Sequence, residues 1–445
     1  MRHSLALSLT LALLAPFAHP QTSGTKPSLT GHWTATIDYY GTPASFGFDL
    51  TQQGDKLTGK LRGDPLEGTI DGTSFHFLAK DTNGGTEQVK GTIVNNILQG
   101  EVIETDGSTP THPATYTFIA TQRPPRPSAA PQRHDFSPTV FYRQFSPFNK
   151  PVLTVNPGDT IHTTTVDAGG NDYNSQKRVM GGNPQTGPFF IQSAMPGDIL
   201  VVHINRLRLN RDWAMSDDDL VSRATDSDLA VKMKDAGKTI VWHLDLANGT
   251  ASPAKPTEHI AHYTVPLKPM LGCIATATST ASAPPGTGDS GYYGGNMDFN
   301  EIVEGATVYL PVSNPGALLY LGDGHALQGD GELNGNALET SMDVEFTVDV
   351  IPNKHLPSPR VENPASIIAL GYDGSLDSAF RDATSNMAQW LADDYNLTPT
   401  EVAQVLGTAS QYKVAEVADR NAGIALKVDK ALLHPISRAS NVPPK

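Results

Sequence analysis

The sequence predicts a mainly β protein with a small antiparallel barrel or sandwich, then a larger β-sandwich, then a helical hairpin. Three observations carry that reading. Apolar residues alternate in short runs along most of the chain, the mark of half-buried strands. Forty glycines and 34 prolines in 445 residues, against 18% charged residues, break those runs at turn spacing. Only from Leu376 onward does the apolar period change from two to three and four.

The elements follow in order. Residues 1–20 read as a secretory signal peptide: a basic start at Arg2 and His3, an apolar run from Leu5 to Leu14, and small residues near Ala18. Export to the periplasm or the exterior is therefore expected. No other stretch approaches the ~18 uninterrupted apolar residues of a membrane-spanning helix, so no stable anchor is expected. Residues 27–122 repeat one pattern, apolar-x-Gly-x-apolar, centred on Gly59, Gly68, Gly91 and Gly100. With turn signals at Gly54, Gly84 and Gly107 between them, these predict hairpins closing into a barrel or sandwich. Residues 123–135, rich in Pro and Ala, read as a linker.

The larger unit, residues 136–435, contains two equivalent devices. Pro157-Gly158-Asp159 and Pro196-Gly197-Asp198 each supply a turn with a left-handed Gly and an Asp acceptor, feeding an alternating strand. Two such turns predict equivalent strands of one sandwich. Leu376, Phe380, Ala383, Met387 and Leu391 then trace an amphipathic helix. Thr398, Pro399 and Glu401 spell the capped start of a second.

A net charge of −14 argues against nucleic acid or an anionic membrane surface as partner. The single cysteine, Cys273, excludes an intrachain disulfide, and its apolar setting predicts a buried, inert thiol. Gly288-Asp289-Ser290-Gly291 has the look of a serine-protease loop, yet no Gly-x-Ser-x-Gly elbow or matching histidine context accompanies it. Ser290 is read as a turn residue. His259 and His262 lie among Pro253, Pro256 and Pro266, which excludes the long helix that a zinc-protease motif needs.

The remaining candidate is a dispersed acid and histidine set: Asp167, Asp298 in "GGNMDFN", and "GDGHALQGDGE" with Asp323, His325, Asp330 and Glu332, followed by Glu339. Asp323 and His325, two apart, share one face of an extended strand and can converge on one ion. A mixed Asp/His set suits Zn²⁺, whereas more carboxylates and carbonyls draw harder ions such as Ca²⁺. The same Asp-Gly pairs also occur in ordinary hairpin turns, so spacing leaves both readings open.

From about Val155 to the C-terminal helices the chain resembles the acetamidase/formamidase family of amide hydrolases. The matching pieces stand in one order: "VNPGDTIHTTTVDA", "NPQTGPFFIQSAMPGDILVVHI", "LKPMLGCIATA", "GGNMDFNEIVEGATVYLPV", "GALLYLGDGHALQGDGELNGNALE" and "YNLTPTEVAQVL". The resemblance implies a jelly-roll-like sandwich, a divalent-metal site and hydrolysis of short linear amides to carboxylate and ammonia. It carries over Asp167, Asp298 and His325 as metal ligands, with Asp323, Asp330 and Glu332 as neighbouring groups for proton transfer. Backbone or side-chain donors of Gly295, Asn296 and Gly329 are the expected partners of the substrate oxygen. The segment Asn210 to Leu246 departs from simple acetamidases and is expected to reshape the pocket rim. A secreted ligand-binding protein with a structural metal site and no turnover is the alternative reading. The expected partner is a small amide; assembly into a homo-oligomer is left open.

Overall fold

The computed structural model describes residues 28–233, 237–280 and 283–436, so the expected signal peptide lies outside the described residues. Eight antiparallel strands between Gly31 and Gln122 close into an up-and-down barrel, the first pairing the last at Trp33 and Gln122. Its interior is filled by alternate residues, Trp33, Phe48, Phe77, Val89 and Phe118 among them, so the barrel is a packed core and not a ligand cup. The repeated glycines are explained by closeness. Gly91 and Gly100 face each other across neighbouring strands, and a Cβ on either would run into the opposing backbone.

The segment read as a linker is more ordered than its composition suggests. Arg123 makes two hydrogen bonds of 2.5 Å to the buried carboxylate of Asp198. Arg133–Asp135 forms a short strand parallel to Thr160–Thr164. Charge pairing and an open sheet edge order a chain that local propensity leaves undetermined.

Beyond it lie two sheets with one apolar core between them, including Phe189, Leu200, Leu271, Leu321 and Phe346. The two Pro-Gly-Asp devices do feed equivalent strands. Thr160–Thr164 and Ile199–Leu209 flank the same central strand, Met342–Ile351, one on each side. Asp159 and Asp198 cap their own turns by accepting from Asn156 N at 2.9 Å and Met195 N at 2.8 Å.

The helices Leu376–Tyr395 and Pro399–Ala409 form as expected, the second with the full Thr398/Glu401 capping box. Ala383, Met387, Trp390 and Leu391 pack on Ile367 and Leu426. Three strands that the local pattern does not reveal flank these helices in the chain: Ser366–Asp373, Gln411–Glu416 and Ala422–Asp429 extend the nine-stranded sheet. The turn joining the last two reaches the site.

Candidate functional site

Strand Met270–Thr276 runs through the centre of the second sheet, fully buried, with Leu319–His325 on one side and Gly294–Asn296 on the other. Leu271 pairs with Gly324 and Cys273 with Gly322, which sets Gly272 opposite Asp323. A Cβ at Gly272 would meet Oδ1 of Asp298 and Oδ2 of Asp323. Glycine there leaves the space in which two carboxylates from neighbouring strands approach each other.

Asp298, Asp323 and His325 bring ligand atoms within 4.8 Å of one another, and His325, Glu332 and Glu339 do the same. His325 is common to both groups. Its Nε2 lies 3.1 Å from Glu339 Oε1, 3.4 Å from Asp323 Oδ2 and 3.9 Å from Asp298 Oδ1. Asp298, Asp323 and Glu332 adopt left-handed backbone angles, φ +39°, +55° and +48°. Such angles cost a non-glycine residue ~1 kcal/mol or more, so the fold holds three acids in an unfavoured geometry to aim them at one point.

The tautomer of His325 follows from its neighbour. Gln328 turns its Nε2 toward the carbonyls of Asp298, at 2.5 Å, and Ala415, at 3.3 Å. Its Oε1 is therefore an acceptor, and Nδ1 of His325 donates to it at 2.9 Å. In its neutral form the ring presents the Nε2 lone pair to the carboxylates. Nε2, Asp298 Oδ1, Asp323 Oδ1 and Glu339 Oε2 are all buried without a hydrogen-bond partner. Acceptors facing acceptors in a dry site repel unless a proton or a cation stands between them.

Titration follows the same physics. Burial, reinforced by Glu332 and Asp323, holds the Asp298 carboxyl well above the ordinary carboxylate range. Burial also raises Glu332 well above that range, and it pushes Glu339 up to about 7 and Asp419 up to about 6. Burial alone would depress the His325 imidazolium, but Glu339 and Asp323 outweigh it and hold it well above its usual value. A multivalent cation relieves all of these at once.

Asp298, Asp323, His325, Glu332 and Asn296 of the expected set therefore come together. Asn296 serves the carboxylates instead of offering free donors: its Nδ2 bonds Asp298 Oδ2 at 2.7 Å and Asp419 Oδ2 at 2.6 Å. Four expected residues stand elsewhere. Asp167 belongs to neither ligand group; its carboxylate takes Arg211 at 2.8 Å and the backbone and side chain of Asn171. Asp330 points outward, 57% exposed, and pairs with Lys413 at 3.0 Å. Gly329 is exposed, while Gly295 is engaged in the sheet opposite Ile274 and Ser290. Ser290 is buried on a two-residue strand, its hydroxyl donating to Glu416.

Glu339, Asp419, Arg211 and Gln328 were not assigned roles from sequence. Glu339 ends the quoted motif and stands within reach of spacing arguments. Asp419 lies in the hairpin turn between Gln411–Glu416 and Ala422–Asp429, 80 residues beyond Glu339, with no local signal. Arg211 is buried beneath the site, stacked on Trp213 at 3.6 Å, and donates to Glu339 O at 3.3 Å.

A cavity of about 1030 Å³ adjoins the cluster, lined by Asp323, Glu332, Glu339 and Asp419 and also by Arg143. Met215, Ser216, Asp217 and Thr239 also line it, so the unusual segment from Asn210 to Leu246 does form part of its wall.

Residues 286–380, which hold most of this site, match the Acetamidase/Formamidase family. A Schizosaccharomyces pombe protein provisionally assigned as a formamidase is 36% identical over 78 residues, 17% of this chain, and the match spans 18% of that relative's length. Among solved structures, a predicted acetamidase/formamidase from Thermoanaerobacter tengcongensis aligns at TM-score 0.60 and 27% identity, over 69% of this chain and 99% of the other. An acetamidase from Yersinia enterocolitica aligns at 0.60 and 28%, over 70% and 96%. An acetamidase from Bacillus halodurans aligns at 0.58 and 25%, over 68% and 99%.

Proposed function

We propose that this chain, which belongs to the acetamidase/formamidase family, hydrolyses the carbon–nitrogen bond of primary amides at the His325 cluster with the help of a divalent cation. One observation carries the reading: a buried Nε2, its tautomer set by Gln328, faces Glu339, Asp323 and Asp298 with no hydrogen bond of its own. The donor set fits a cation, and Gly272 leaves the room. Asp298, Asp323 and His325 are the residues that would hold it, with Glu339 beside them. Zinc is the ion we propose, because a neutral imidazole is a donor that Ca²⁺ does not seek. The chemistry such an ion supplies is polarisation of a carbonyl and acidification of water.

The chain's own groups supply the rest. The amide enters the cavity with its carbonyl toward the cluster. Glu332, buried and lining the cavity, is oriented by Ala337 N, which donates to its Oε1 at 3.0 Å. It takes a proton from the attacking water as the oxygen bonds to the carbonyl carbon. It then returns that proton to the nitrogen as the carbon–nitrogen bond breaks. The products are a carboxylate and ammonia, which leaves as ammonium at neutral pH. Asn296 keeps Asp298 and Asp419 in place throughout.

The test is to strip the protein with a chelator, reload it with single divalent ions, and follow ammonia release from formamide, acetamide and larger amides. The proposal expects release that disappears with the ion and returns with zinc. Undiminished release from ion-free protein would overturn the role given to the cluster. Tight binding of calcium without turnover of any amide would favour a structural site.

A further inference from the structure

We infer that the preferred substrate carries a carboxylate remote from the amide, and that Arg143 recognises it; the inference rests on the amidase reading above. Size gives the first reason. Formamide or acetamide fills a small part of a cavity of about 1030 Å³, whereas sites of ~300–1,000 Å³ serve drug-sized ligands. The volume calls for a substrate with a body beyond the amide.

Charge gives the second reason. The cavity is acidic where the cluster lies, and among the described residues Arg143 is the only lysine or arginine in its lining. Among the described ion pairs Arg143 has none, and its one hydrogen bond runs from Nη1 to Gly181 O at 3.1 Å. The remaining guanidinium donors are free, in the planar fork that matches a carboxylate. Asp217, the other charged group of the wall, is already engaged by Asn336. Arg143 is therefore the positive charge that the described wall offers, with donors to spare.

Position gives the third. Two residues beyond Gly181, Asn183 donates to Asn296, which holds Asp298 and Asp419. The residues that line the cavity thus connect the guanidinium to the cluster through Gly181, Asn183 and Asn296. Asp323, Glu332, Glu339 and Asp419 repel an acid group wherever the cation does not offset them, whereas Arg143 attracts it, so the neutral amide is favoured at the cluster and the remote carboxylate at Arg143. Attraction at one end and repulsion at the other fix a single orientation.

Hexanamide and adipamic acid have the same chain length and differ by the terminal carboxylate, so they test this directly in the zinc-loaded protein. A charge-assisted pair is worth ~1.5–3 kcal/mol, so adipamic acid should exceed hexanamide in kcat/KM by about tenfold or more, through KM. Arg143→Met should reduce that ratio by a similar factor, and Arg143→Lys should restore part of it. Calorimetric binding of adipate, the product, should weaken in parallel in Arg143→Met. If hexanamide is cleaved as well as adipamic acid, or if Arg143→Met leaves the ratio unchanged, the inference fails and amide hydrolysis stands. If neither amide is cleaved while adipate binds through Arg143, amide hydrolysis fails and recognition of the acid stands.

Discussion

Nδ1 of His325 donates to Oε1 of Gln328 at 2.9 Å, and that bond fixes which nitrogen of the ring looks into the acid cluster. Gln328 touches none of the cavity, yet it decides whether Nε2 is a lone pair or a proton donor. Groups that orient a ligating imidazole in this way typically contribute 10–100-fold to metal affinity. Gln328→Leu should therefore weaken zinc binding by about that factor while retaining the fold. Zinc titration with a competing chelator, beside circular dichroism, measures both.

Gly272 makes a second prediction. A methyl group there meets Oδ1 of Asp298 and Oδ2 of Asp323 and lies 3.1 Å from the Asp323 carbonyl oxygen. Gly272→Ala should lose bound zinc and about tenfold or more of the amidase rate, with ~1–3 kcal/mol of stability lost to overpacking. Full zinc content in the folded variant would show that the two carboxylates do not need that space.

Asp167 separates a ligand from a supporting ion pair. It is buried against Arg211 at 2.8 Å and lies outside both ligand groups. Breaking a buried pair by removing one charge costs ~3–5 kcal/mol. Asp167→Asn should thus lower the melting temperature clearly and yet keep one zinc per chain. Loss of zinc without loss of stability would place Asp167 on the ion. Asp330→Asn, at an exposed Lys413 pair, should change stability by ~1 kcal/mol or less.

Stability against pH gives a fourth prediction, made for ion-free protein. Burial raises Glu416 to about 8 and Glu339 to about 7 from an ordinary carboxyl value of 4.5. The folded state therefore binds these protons more tightly than the unfolded chain. Their contribution is complete below the unfolded value and is lost as pH rises through the folded values. His325, also raised, acts in the same direction. Thermal melts should show falling stability from about pH 4.5 to 8, and zinc added at pH 8 should restore it. A flat or rising profile would contradict the protonated, buried acids described here.

Much of this was legible in the chain. Alternation and glycine spacing yield the barrel, because a strand's two-residue period is written in adjacent residues. The paired Pro-Gly-Asp turns mark two strands that flank one neighbour. Asp298, Asp323, His325 and Glu332 are found because two short motifs hold them. What escaped depends on distance along the chain. Asp419 reaches the site only because Gln411–Glu416 and Ala422–Asp429 join a sheet that local helical periodicity had hidden. Asp167 resembles a ligand until Arg211, 44 residues later, takes its charge. Asp330 and Glu332 stand two apart in one motif, yet the left-handed turn at Gly331 and Glu332 leaves the first exposed and the second buried.

The most direct test of the central claim is ammonia release from acetamide and adipamic acid by zinc-loaded wild-type protein and by His325→Ala. The structure predicts stoichiometric ammonia and carboxylate from the wild type and a loss of about 100-fold or more in the variant. Undiminished release by His325→Ala, with its zinc retained, would contradict it.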